Sequence, residues 1–99
     1  MARYDVFRGA TGGALLLDVQ TDLIEHLKTR VVVPLLPAET TPPPISRLHP
    51  VFEIDGRRYV MATPLLSAIP GSEIGERLAN FDRHHERITA ALDMLFQGF

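Results

Sequence analysis

The sequence predicts a β-rich α+β fold, with five or more short strands in a strongly bent sheet or small barrel and one C-terminal helix packed at its side. Three observations predict it. Short apolar segments in the first two-thirds of the chain are separated by glycine and proline turn signals. An Asp55-Gly56 pair sits between two alternating segments. After Phe81 the apolar spacing changes to alternating steps of four and three.

Tyr4, Val6 and Phe7 suggest a first strand that stops at Gly9, and Gly12-Gly13 tolerate the positive φ angles of a hairpin connection. Leu15, Leu17 and Val19 alternate with Leu16, Asp18 and Gln20, a period of two that turns one apolar row inward. Asp22 then heads a segment, Leu23-Ile24-Glu25, that fits a capped helical turn. Val31-Val32-Val33 is a β-branched run closed by Pro34, which predicts a strand apolar on both faces, lying centrally or against a partner subunit. Pro37 and Pro42-Pro43-Pro44 cannot donate to a ladder, so residues 37–45 read as a loop or an edge excursion. Val51 to Ile54 and Arg57 to Met61 flank Asp55-Gly56 as a hairpin with a type I′ turn. A further extended segment runs through Ser67, Ala68 and Ile69 to a turn at Pro70-Gly71.

Phe81, His85, Ile88, Leu92, Leu95 and Phe99 mark one helical face, with Asp82 placed to cap its start. Ala90, Ala91 and Met94 form a second stripe beside it. One small sheet cannot cover both, so one stripe should meet something outside the monomer. Ala91, Met94 and Leu95 are the residues on which a homodimer interface is expected.

The chain has 99 residues, a single domain's worth spanning 1–99, and a domain this small has a thin stability margin that pairing with a second copy would widen. Cysteine is absent, which excludes disulfides and thiolate metal sites and fits a reducing, cytoplasmic setting. No apolar run reaches the length of a signal peptide or a membrane span. A formal net charge of −2 argues against a protein that holds a phosphate backbone over a broad surface, leaving only Arg57-Arg58 and Lys28 with Arg30 as basic patches, each read as a solvated turn.

Catalytic chemistry is thin. His84 and His85 are adjacent on the predicted helix and point about 100° apart, so they do not face one metal ion, and His26 and His49 stand alone. Asp18, Asp22 and Glu25, like Glu73 and Glu76, read as solvated carboxylates rather than an acid-base pair. Ser46, Ser67 and Ser72 lack the frame of a nucleophile elbow, and Gly71-Ser72-Glu73-Ile74-Gly75 lacks the lysine of a phosphate loop. Neither a cofactor nor a metal is expected, and the weight moves to binding.

The ending Phe96-Gln97-Gly98-Phe99 closes a helix with glycine and places an aromatic at the last position, either a cap tucked on the core or a presented contact surface. This ending, with Leu17 to Ile24, Arg30 to Leu35, Leu48-His49-Pro50-Val51 and the stretch from Ile69-Pro70 to Glu76, resembles the CcdB family of toxin-antitoxin toxins over essentially the whole chain. The resemblance implies an SH3-like barrel of antiparallel strands, similar to CcdB and MazF proteins, with one C-terminal helix. It further implies a homodimer that poisons DNA gyrase by binding its GyrA subunit, serves plasmid maintenance, is neutralised by a CcdA-like antitoxin, and uses neither enzymatic chemistry nor direct nucleic-acid or membrane contact. By family position the gyrase-contacting residues are Leu23, Ile24, Asp93, Gln97, Gly98 and Phe99. The family ending is tryptophan, glycine, isoleucine, so Gly98 matches, Phe99 is an apolar replacement, and Gln97 stands where the tryptophan would be. Two alternatives stay open: a toxin descendant that binds antitoxin without poisoning gyrase, and a MazF-like endoribonuclease using Arg57, Arg58 and Ser46.

Overall fold

The alternating segments of the first two-thirds become antiparallel strands that share one sheet. The computed structural model describes residues 2–9, 14–24, 26–41 and 47–98. Among them β1 (Asp5–Arg8), β2 (Leu15–Asp18), β3 (Thr29–Pro37), β4 (Val51–Ile54), β5 (Arg57–Met61), β6 (Ser67–Pro70) and β7 (Arg77–Asn80) are ordered β4-β5-β3-β2-β1-β7, with β6 branching from β3. The sheet curls into a half-barrel consistent with an SH3-like fold, and α1 (His85–Gln97) follows it. The Gly12-Gly13 connection and the Pro42-Pro43-Pro44 segment lie outside the described residues.

The inward row expected on β2 is there. Leu15, Leu17 and Val19 are buried with Val6, Val33, Leu35 and Met61, and Tyr4, Phe52, Tyr59, Phe81, Ile88 and Ala91 belong to the same cluster. Each such large side chain taken out of water contributes about 1.5–3 kcal/mol relative to leaving it exposed.

β3 does not end at Pro34. It runs on to Pro37 as the central strand, pairing with β2 along one edge and with two strands in succession along the other. β6 pairs with Thr29 to Val32 and β5 with Leu35 to Pro37. In an extended chain the N–H and C=O of one residue point to the same side. The Pro34 carbonyl accepts the Ala62 N–H at 2.9 Å, so the missing proline donor faces the seam between β6 and β5, where no ladder bond is lost.

The β4–β5 hairpin matches its sequence signal. Asp55 and Gly56 have φ of 52° and 79°, and two positive values in succession define the type I′ turn. β7 was not predicted. Arg77-Leu78-Ala79-Asn80 lacks β-branched and aromatic residues, and its pairing with β1 supplies what its own composition does not.

The helix starts later than Asp82. Asp82–His84 form a 3-10 turn with no side-chain cap, while Asn80 Oδ1 accepts the Asp82 N–H at 2.8 Å and the Phe81 N–H donates to the Tyr4 carbonyl at 2.8 Å. A turn of about three residues per revolution shifts the phase of everything after it. His85, placed on the inward face by spacing from Phe81, is therefore exposed, and Ile88 and Ala91 are the helix residues fully buried.

His84 sits on the 3-10 turn, 5.0 Å from the Phe52 ring and 5.2 Å from Phe81. Burial, and then the charges of Arg83 and Arg87, hold its pKa below the ordinary histidine value. A depressed folded-state pKa means that stability present above the unfolded value is lost as pH falls through it. The urea midpoint should therefore drop from pH 7.5 to pH 5.5 more steeply in the wild type than in His84→Gln. Parallel pH profiles of the two proteins would show that this ring does not couple to folding.

Candidate target-binding surface

The end of α1 is set by its glycine. Gly98 takes φ 81° and donates its N–H to the Met94 carbonyl at 3.0 Å, closing the helix in the left-handed conformation that glycine adopts without strain. The last turn leaves Phe96 69% exposed, with Gln97 and Gly98 exposed beside it. Asp93, Met94 and Leu95 are half-buried, whereas Ala91 is fully buried in the core. Phe99 lies outside the described residues. Of the residues expected at a dimer interface, Met94 and Leu95 thus keep some surface for a partner, and Ala91 keeps none.

The second patch is the predicted helical turn after β2, which forms as a 3-10 turn over Asp22–Ile24. Leu23 is 88% exposed and Ile24 40%, and Leu27, which no motif singled out, adds a third apolar side chain at 44%. These are large apolar groups presented to water by a short turn, and a specific support holds that turn.

The support is a buried polar network that sequence reading placed in solvent. Asp18 and Arg30 were expected as solvated side chains; both are completely buried. Asp18 on β2 lies opposite Val32, so Arg30, two residues back on β3, is its diagonal neighbour on the same sheet face. Arg30 donates from Nε at 2.9 Å and from Nη2 at 2.6 Å to Asp18 Oδ2. The other carboxylate oxygen accepts the Gln20 N–H at 3.0 Å. Gln20 passes the order outward, its Oε1 accepting the Val31 N–H at 3.1 Å and its Nε2 donating to the Ile24 carbonyl at 3.0 Å. Asp22 closes the other side of the turn by accepting the Arg3 N–H at 2.7 Å.

The electrostatics of this network are asymmetric. Burial, and more weakly the nearby Asp5 carboxylate, push the Asp18 carboxyl above its ordinary range against the hydrogen bonds from Arg30 and Gln20. Burial also raises Asp5, but bonds from Asn80 and the Ala2 N–H, together with Arg77, outweigh it and hold that carboxyl low. The alternation along β2 sets Asp18 on the face opposite Leu15 and Leu17, and its burial there comes from the pairing with β3 rather than from a local signal.

The remaining candidates do not assemble. Glu73 and Glu76 are exposed, Ser67 and Ser72 are exposed, and Ser46 and Glu25 lie outside the described residues. Among the described residues no three histidines or carboxylates are grouped as a metal would need, and no helix is long and apolar enough to cross a membrane. Arg57 and Arg58 line an open cleft of about 410 Å³ with Ala38, Glu39 and Gly56. Glu39 Oε1 accepts two bonds from Arg57, at 2.7 and 3.1 Å, and among the described residues neither a histidine nor a hydroxyl side chain lines that cleft.

Comparison with known proteins agrees with this architecture. A solved structure of an endoribonuclease in complex with its cognate antitoxin from Mycobacterial species shares the fold, with a TM-score of 0.76 and 20% identity, over 97% of this chain and 94% of that one. The CcdB protein family matches residues 3–98. Strands, the exposed turn after β2 and the glycine-closed helix all fall inside that match, and the chain therefore belongs to the CcdB family of toxin-antitoxin toxins.

Proposed function

We propose that this toxin acts by binding rather than by catalysis, as a homodimer that engages the GyrA subunit of DNA gyrase through the turn after β2 and the last turn of α1, and that a CcdA-like antitoxin neutralises it. The observation that carries the reading is the exposure of Leu23 and Phe96, the two most exposed large apolar side chains among the described residues. Leaving them in water is unfavourable, and cover by another protein recovers that free energy. Leu23, Ile24, Asp93, Gln97, Gly98 and Phe99 form the contact set by family position, and Met94 and Leu95 are the proposed centre of the dimer. An antitoxin partner is supported by the mycobacterial neighbour, which is itself in complex with one.

Purified protein added to its own host's gyrase should slow supercoiling and accumulate cleaved-DNA complexes. If neither happens while the protein still arrests growth, gyrase is the wrong target.

One observation favours a second reading. A fold neighbour is an endoribonuclease, and the Arg57–Arg58 cleft is the cationic surface on which such activity would have to rest. The engagement of Arg57 by Glu39 weakens that reading. Cleavage of single-stranded RNA that is abolished by Arg58→Ala would establish it in place of the first.

A further inference from the structure

A second cavity, of about 220 Å³, opens between the segment after residue 46 and the first half of α1, and Arg47, Pro50, Arg87 and Ala90 line it. Both arginines are exposed, and neither takes part in an ion pair among the described residues. Among the described residues no carboxylate lines the cavity either. Elsewhere on the surface Arg8, Arg57 and Arg77 each face one, at 3.7, 2.7 and 3.0 Å.

Arg87 is not a loose side chain. Its Nη2 donates to the Val51 carbonyl at 2.9 Å and its guanidinium lies over the Phe52 ring, 4.6 Å from the centroid. A guanidinium carries five N–H donors, so fixing one leaves a positioned fork with donors to spare. Arg83 is one helical turn before it and adds to the positive field, which is felt at His84.

We propose that this cavity docks an acidic peptide segment of a partner protein, with one carboxylate seated between Arg47 and Arg87 and a neighbouring apolar side chain resting on Pro50 and Ala90. Charge complementarity names the ligand. Among the described residues the two arginines meet no acid, and one is held in place before any ligand arrives. The choice of peptide over nucleic acid follows from scale and charge. The cavity has the volume of side chains, it has an apolar wall, and the chain as a whole carries −2, whereas a phosphate backbone calls for an extended cationic track. Arg87 lies ten residues before Gln97, about 15 Å along the helix, so the site does not depend on what the end of α1 binds.

The test is fluorescence anisotropy with the full chain and three labelled probes: a peptide of alternating glutamate and leucine, its glutamine-leucine counterpart, and a single-stranded RNA decamer. The acidic peptide should bind, added salt should weaken it, and the glutamine counterpart should not bind. Arg87→Gln and Arg47→Gln should each weaken the acidic peptide by about 10-fold or more, as expected for loss of a charged hydrogen-bond partner. Arg47 supports no described structure, so Arg47→Gln carries the test should Arg87→Gln unfold. Failure of the acidic peptide to bind, affinity unchanged by the substitutions, or RNA binding as tightly through Arg87 would each overturn the proposal.

Discussion

Arg30→Met is expected to lower the free energy of unfolding by about 3–5 kcal/mol, the range for removing one partner of a buried ion pair. Methionine replaces the apolar stem of the arginine but not the guanidinium that bonds Asp18, so most of the loss is that of the ion pair. Asp18 would be left without exposure and with the Gln20 N–H as its remaining hydrogen-bond donor. A small domain has about 5–15 kcal/mol in total, so this one change removes a large share of it. The pH dependence adds a signature. Asp18 already has its carboxyl pKa above the unfolded value in the folded chain, so its ionisation reduces stability as pH rises through and beyond the ordinary carboxyl range. Without Arg30 that penalty grows, and urea denaturation should show a larger deficit at pH 7 than at pH 4.5. The double variant Asp18→Leu/Arg30→Met should recover much of the loss, because two apolar groups need no partner. A deficit below 1 kcal/mol at pH 7 would mean that the pair contributes nothing that solvent does not replace.

Gln97→Trp is expected to tighten binding to the GyrA subunit by about 30-fold, the equivalent of roughly 2 kcal/mol for an added aromatic anchor. Position 97 is exposed on the last turn of α1 next to an exposed Phe96, so an indole can enter without disturbing the core. Gly98 in the left-handed conformation continues to end the helix there. Titration of the variant and the wild type against the purified GyrA subunit measures the difference directly. Equal affinities, with helix content unchanged, would remove gyrase from the proposed function.

What the sequence disclosed and what it concealed divide along physical lines. The β2 alternation, the Asp55-Gly56 turn and the glycine-closed helix were legible because each depends on a local rule: side-chain period, positive φ, or the end of a hydrogen-bond ladder. β7 was concealed because its residues have no preference of their own and become a strand by pairing with β1. The continuation of β3 through Pro34 was concealed because the tolerance for proline comes from a change of neighbour that no local pattern encodes. Asp18 and Arg30 were misplaced for the same reason. Charged residues are solvated by default, and only the diagonal geometry between two strands makes a buried pair of them. At the candidate site, Leu23 and Ile24 could be named by position, but their support through Gln20 could not.

The change of neighbours along β3 also bears on how the chain is made. As the ribosome releases residues in order, β1 to β3 can assemble early, yet the outer margin of a valine-rich strand then waits uncovered until the segments from Arg57 to Pro70 emerge. Such a margin invites pairing with a neighbouring nascent chain and hence aggregation. Pro34 interrupts the row of donors on that very margin, so the residue that breaks the sheet's regularity in the finished molecule acts as a gatekeeper while it is being synthesised.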